Sequence, residues 1–408
     1  MERMILLGLL LVFPAQESQN GRDIPKAGLT AQEIATAKDL VKRIFEAKGL
    51  AEQESLLKEL EPLDHPSKAD LALFQKECFR HALAGPRQEG KSPTQCTHPG
   101  YPGKYILHVP PAAKKGAKTG LFIGLHGGGP GVGDGAQIEG LFGSPSSTMI
   151  LVFPTVIQKD AVAWNLEREE QYVLAILAEL RRSFNIDTNR VYIAGHSMGG
   201  WGTWSIAGRH ADLFAGASAM AGGTVGPGMV ANLKTLPFWF YHSTDDPQVN
   251  FQPDHKAAEL LESLKKEFGP YDFVYKEYND IGHGLPKEGL KPIWDWLFSK
   301  KRDPYPKHVI WEPSRSYKQH FYWLKSDGTG RVEAKLENQK ITVKGSVATV
   351  FLSEKMVKYS EEVAVVDPGG NILWKGKPAL SMVALVESIA VRQDPEMTFT
   401  SRVRLRGP

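Results

Sequence analysis

The stretch from Val191 to Gly200, Val-Tyr-Ile-Ala-Gly-His-Ser-Met-Gly-Gly, constrains the fold more than any other part of the chain. Its apolar, β-branched and aromatic start reads as a buried strand, and Trp201, Trp204 and Ile206 follow at roughly helical spacing. Between them lies Gly195-x-Ser197-x-Gly199, a sharp strand-to-helix turn. A serine on such a turn projects its hydroxyl above a sheet, and only residues with almost no side chain fit on either side of it. The pattern is short, and in a chain with 40 glycines among 408 residues chance alone supplies on the order of 0.2 matches. Its meaning depends on its surroundings.

Those surroundings alternate strand and helix signals. Apolar runs at Lys104 to Val109, Leu121 to Leu125, Met149 to Phe153, Arg190 to Ala194, Ala215 to Ala221, Pro237 to Tyr241 and Asp272 to Tyr278 read as strands. Helical periodicity covers Glu167 to Phe184, Pro253 to Phe268 and Lys291 to Phe298. Uniformly apolar strands joined by helices predict an α/β fold with a mostly parallel sheet covered on both faces. Ahead of it lies a helical preface. Thr30 and Glu33 form a capping box before a helix ending near Gly49, a second helix spans Gln53 to Leu60, and a third, capped by Ser67, spans Lys68 to Leu83. After Pro304 the chain changes to short strands with turns such as Pro368-Gly369-Gly370-Asn371, which predicts an all-β, sandwich-like module. Trp311, Tyr322, Trp323 and Trp374 in this module read as packing residues rather than as a sugar-stacking surface.

Nucleophilic catalysis by a serine needs a base, a group that orients the base, and donors for the developing oxyanion, all at one edge of the sheet. The loop after Phe238 to Tyr241 holds Asp245 and Asp246, of which Asp246 is the expected orienting acid and Asp245 the reserve. His283, between two glycines in the loop after Phe273 to Tyr278, is the expected base. The loop after Leu125 reads His-Gly-Gly-Gly-Pro-Gly, so the backbone N–H of Gly128 or Gly129, with Gly127 as a further candidate, is expected to act with that of Met198 as the oxyanion hole. This loop lacks the Gly-Lys-Ser/Thr ending of a phosphate loop. His196, His210, His242 and His255 receive no role.

With Trp164-Asn165 upstream and Asp187 to Tyr192 leading into Gly195 to Gly200, residues 104 to 300 resemble an α/β-hydrolase. Within that superfamily they resemble bacterial esterases of the feruloyl esterase and polyhydroxybutyrate depolymerase type, and catalytic domains of prolyl-oligopeptidase-like enzymes. The resemblance implies a Ser197-Asp246-His283 triad and hydrolysis of small or polymer-borne carboxylic esters without a cofactor. The alternatives are a serine peptidase and a non-catalytic binding protein on a hydrolase scaffold. The peptidase reading ranks second, because the short preface leaves no room for a large gating propeller.

Residues 1–18 carry an uninterrupted apolar run from Met4 to Phe13 after Glu2 and Arg3, too short to span a bilayer, and are expected to be a signal peptide. A secreted or periplasmic protein with no membrane span after leader removal follows. Residues 24–85 are assigned to the preface, 86–304 to the catalytic unit and 305–408 to the β module. Cys78 and Cys96 have no metal-ligand spacing, and the choice between a disulfide and two separate thiols stays open. A net charge of +3 with no basic block argues against a nucleic-acid partner.

Overall fold

The computed structural model describes residues 28–83, 94–129, 131–159, 163–224 and 226–405. The expected leader lies outside them, as does the side chain of Cys96. Eight strands form the central sheet: β1 (Thr94–Thr97), β2 (Lys104–His108), β3 (Thr119–Leu125), β4 (Ile150–Thr155), β5 (Ile186–His196), β6 (Gly216–Met220), β7 (Phe238–Ser243) and β8 (Phe273–Tyr278). Their order is β1-β2-β4-β3-β5-β6-β7-β8. From β4 to β8 every neighbouring pair is parallel, while β2 runs antiparallel to β4 and to β1. This is an α/β-hydrolase sheet. Strands β3 and β6 are buried along their whole length, as strands covered on both faces must be.

In chain order the helices are α1 (Ala31–Glu46), α2 (Leu50–Leu60), α3 (Lys68–Ala82), α4 (Pro111–Lys114), α5 (Gly135–Phe142), α6 (Glu167–Ser183), α7 (Met198–Arg209), α8 (Pro227–Ala231), α9 (Gln252–Phe268), α10 (Lys291–Phe298) and α11 (Met382–Arg392). Those between β3 and the end of α10 pack on the sheet, while α1 to α3 and α11 form a cluster of their own. Among the described residues no helix is long and apolar enough to cross a membrane.

Strand β5 begins earlier than its apolar run suggests. Asp187-Thr188-Asn189 reads as a polar turn in the sequence but lies inside the strand. Asp187 pairs with Lys118 at 3.8 Å, and the other two are taken up by the C-terminal half of the chain. The Thr188 hydroxyl donates to Asp394 at 2.6 Å, and Asn189 Oδ1 accepts from Arg302 at 2.8 and 3.1 Å.

Beyond α10 the chain forms two further sheets. One comprises β10 (His320–Phe321), β11 (Leu324–Lys325), β14 (Thr349–Leu352) and β17 (Ser401–Arg404). The other comprises β9 (His308–Trp311), β12 (Val332–Glu337), β13 (Lys340–Lys344), β15 (Val363–Val366) and β16 (Ile372–Gly376). Trp311, Tyr322 and Trp323 are buried, and they join the cluster that also holds Val230, Leu236 and Phe238 from the central layer. The aromatic residues therefore pack, as the sequence reading preferred. The expected all-β module also contains a helix, α11. Its Met, Ala and Leu are good helix formers, and Met382, Val383, Leu385, Val386 and Ile389 are buried in one cluster with α1 to α3.

Helices α1 to α3 are amphipathic and close on α11 through Leu40, Val41, Ile44, Leu60 and Phe74. Asp64, just before α3, caps α11. Its carboxylate accepts from Val383 N at 3.0 Å and from the Ser381 hydroxyl at 2.7 Å. Cys78 is a free thiol inside this cluster, and burial pushes its pKa up to about 12. Phe74→Ala, which removes a fully buried ring from the α3–α11 seam, is expected to lower unfolding free energy by about 3 to 5 kcal/mol in urea titrations.

Candidate active site

Ser197 sits between the end of β5 and the first residue of α7 with φ 60° and ψ −122°, a conformation that non-glycine residues adopt only when the surroundings enforce it. The enforcement is visible. A Cβ on Gly195 would collide with the Gly199 carbonyl, and one on Gly199 with the Leu125 carbonyl of β3. The Ser197 amide is anchored to Met220 O of β6 at 2.8 Å. Met198 opens α7 directly after the serine, so its N–H, like those of any first helical turn, has no acceptor within the helix.

His283 lies in the loop after β8, where its Nε2 is 2.8 Å from Ser197 Oγ and its Nδ1 is 2.6 Å from Asp246 Oδ2. The other Asp246 oxygen accepts from Gln248 N and Val249 N at 2.8 and 3.0 Å. Burial raises the Asp246 pKa, but hydrogen bonds from His283 and from the two amides outweigh it and leave the carboxyl below its ordinary value. Asp245, the reserve acid, faces away. Its carboxylate takes the Ser243 hydroxyl and, at 3.0 Å, Gly282 N, so it ties the two loops together without touching His283.

The glycine loop after β3 runs beside the serine. A Cβ on Gly127 would lie 3.1 Å from Ser197 Cβ, and Gly128 holds φ +120°, which favours glycine. His126 sets the course of this loop from below. Val156 N donates to its Nε2 at 3.1 Å, so Nδ1 carries the proton and donates to Gly127 O at 2.6 Å. Trp164 Nε1 donates to His126 O at 2.9 Å.

Two histidines without a sequence-based role complete the site. His242, on β7 and fully buried, faces Asp254 with Nδ1 at 2.8 Å and Asp246 with Nε2 at 3.1 Å. His242 thus stands between two carboxyl groups, and burial raises the pKa of the inner one, Asp254, above its ordinary value. Burial lowers its pKa, but the hydrogen bond and charge of Asp254 and the charge of Asp246 raise it above the ordinary value. Asp254 is held in turn by Trp204 Nε1 at 2.9 Å. A continuous chain thus runs from Ser197 through His283, Asp246, His242 and Asp254 to Trp204 on α7. His196 lies with its ring centroid 4.9 Å from that of His283, and burial, then the His283 charge, lower its pKa to about 4. Among the described residues no group of three or more His, Cys, Asp or Glu is placed to hold a metal ion.

Residues 167–225 match the prolyl oligopeptidase family. The bifunctional acetylxylan esterase/xylanase of Neocallimastix patriciarum is 31% identical over 107 residues, which are 26% of this chain and 15% of that protein. Similar solved structures include a thermostable esterase, 27% identical with a TM-score of 0.43 over 51% of this chain and 62% of that one. The acetyl xylan esterase of Aspergillus awamori is 14% identical with a TM-score of 0.40, over 50% of this chain and 98% of that one.

The depressed pKa of His196 makes stability depend on pH. An unfolded histidine titrates near 6.5, so the contribution is complete above about pH 6.5 and is lost as the pH falls through the folded value of about 4. Urea titrations are expected to show a loss on the order of 3 kcal/mol between these limits from this group. His196→Asn should give a shallower slope. Strand order and the Ser197 turn make this chain a protein of the α/β-hydrolase fold, similar to prolyl oligopeptidases through residues 167–225 and to an acetylxylan esterase over a 107-residue stretch.

Proposed function

We propose that the chain is a serine hydrolase of carboxylic esters, with residues 86–304 as its catalytic unit. The observation that carries the reading is the pair of hydrogen bonds joining Ser197 Oγ to His283 Nε2 at 2.8 Å and His283 Nδ1 to Asp246 at 2.6 Å. His283 takes the Ser197 proton as Oγ attacks the ester carbonyl. The N–H of Met198 and that of Gly128 or Gly129 receive the negative charge that develops on the carbonyl oxygen. Collapse expels the alcohol, which leaves with the proton from His283, and an acyl group remains on Ser197. Water then attacks that ester, again with His283 as base, and releases the acid.

Asp246 holds the tautomer of His283 and stabilises its cation. His242 is a positioning residue, since it fixes Asp246 from behind and keeps that carboxylate ionised. The partial likeness to an acetylxylan esterase supports an acyl group carried on a polysaccharide. The match to the prolyl oligopeptidase family supports, as a second reading, cleavage of peptides by the same groups. We also read residues 1–18 as a leader and the mature protein as secreted or periplasmic, where polymeric esters are met.

A panel of p-nitrophenyl acetate, acetylated xylan, feruloyl and hydroxybutyrate esters and peptide anilides ranks these substrates. Ser197→Ala is expected to abolish turnover of every member that wild type cleaves, and equal rates in the two proteins would exclude the mechanism. Asp246→Asn should lower kcat by about 10⁴-fold, because the imidazole takes the wrong tautomer, whereas Asp245→Asn should remain far closer to wild type. His242→Gln is expected to lower kcat with KM held and to move the acidic limb of the pH–rate profile, a change that mere loosening of the fold does not produce.

A further inference from the structure

A cavity of about 210 Å³ lies at the far end of α7, between α6, the end of α11 and the segment Tyr317–His320. That end is about 18 Å from Ser197 along the helix axis, so the cavity is separate from the active site. Its half-buried rim includes Leu174, Ala178 and Gln319. The volume is far above the ~15 Å³ that a single water needs.

Its walls carry more positive than negative charge. Lys318 on the wall is matched by Asp212, which takes its ammonium through both oxygens at 2.7 and 2.8 Å. Arg302 behind the wall is matched by Asp394 at 2.7 Å, with neither side chain exposed. Glu170 and Glu387 are likewise engaged, the first by Arg209 and Arg315 and the second by Lys325 and Arg402.

Among the described residues Arg181 and Arg392 form no direct ion pair, although Asp394 and Asp212 act on both charges from further away. They are 7% and 5% exposed. Arg181 Nη1 donates to Arg392 O at 3.0 Å, while its Nε and Nη2 are buried without an acceptor. Arg392 Nη2 donates to Tyr322 O at 2.5 Å and its guanidinium stacks on Phe351 and Phe399, but its Nε and Nη1 are also buried without an acceptor. Four buried guanidinium nitrogens therefore lack an acceptor, and a buried donor left unpaired is costly unless a ligand or water supplies one. The planar fork of arginine matches the oxygens of phosphate and sulfate.

We propose that this cavity is a binding site for a phosphate-sized oxyanion, held between Arg181 of α6 and Arg392 at the end of α11. The ion is either free phosphate or sulfate, or the same group on a small organic molecule. Because the two arginines come from the central layer and from the C-terminal region, the bound ion fastens one to the other.

The test uses the full chain dialysed into chloride buffer, with calorimetric titration and thermal unfolding at matched ionic strength. Phosphate or sulfate is expected to bind saturably at one site per chain and to raise Tm, while chloride does neither. Arg181→Met, close in volume and checked for folding by circular dichroism, should weaken that binding at least tenfold and should unfold in chloride at or above the wild-type temperature, because a buried unpaired cation has been removed. Glucose 6-phosphate binding more tightly than phosphate assigns the group to an organic ligand, and the reverse order assigns it to the free ion. Absence of saturable binding to wild type means that water fills the cavity, and it overturns the proposal. Sulfate stabilisation that persists unchanged in Arg181→Met is the general salting effect, and it overturns the proposal equally.

Discussion

The close approach of the first turn of α7 to the end of β3 is the contact on which the rest of the site depends. Gly199 presses against the Leu125 carbonyl and Gly195 against Gly199, so neither position has space for a side chain. Ser197 is thereby held at a positive φ that its own backbone disfavours, directly before the first turn of α7. The same approach brings the glycine loop after β3 alongside, since that loop leaves the strand that α7 touches. The Ser197 turn and the glycine loop are thus set side by side by sterics, independently of the hydrogen bond to His283.

Electrostatics then fix what sterics have placed. The parallel sheet delivers the loops after β7 and β8 to the same edge as the serine, and Asp246 receives two amides and two histidine rings there. A carboxylate so surrounded stays ionised and has little freedom to rotate. His242 carries that order inward to Asp254 and Trp204, so the Asp246 loop is tied to the helix that starts after Ser197. A second set of buried charges, around Glu170, Asp212 and Asp394, joins the central layer to the C-terminal sheets.

The parts of this arrangement legible in the sequence are those that depend on adjacent residues. The Ser197 turn needs glycines two positions to either side, capping boxes need partners three residues apart, and parallel strands need apolar runs. Thr30 with Glu33 accordingly forms a capping box as read, and Ser67 caps α3 as read, with Asp70 completing a second box. Features that depend on distant partners were hidden. Thr188 and Asn189 look like part of a turn until Asp394 and Arg302 are brought to them. His242 looks like any strand histidine until Asp254 closes on its other side, although the four-residue spacing to Asp246 was a usable signal. Helix α11 lacks the one-sided apolar stripe that marks a surface helix, because residues from Met382 to Ile389 are buried throughout.

That last seam also governs the order in which the molecule can be completed. Asp64 and Val383 are 319 residues apart in the chain yet share a hydrogen bond. At 5 to 20 residues per second of synthesis, the early helices wait roughly 15 to 60 s for their mate. During that interval Leu40, Val41, Ile44, Leu60 and Phe74 lack the surface that later shields them, and α1 to α3 present a greasy face to whatever is nearby. Maturation of this protein therefore ends where it began, with its tail returning to clasp its head.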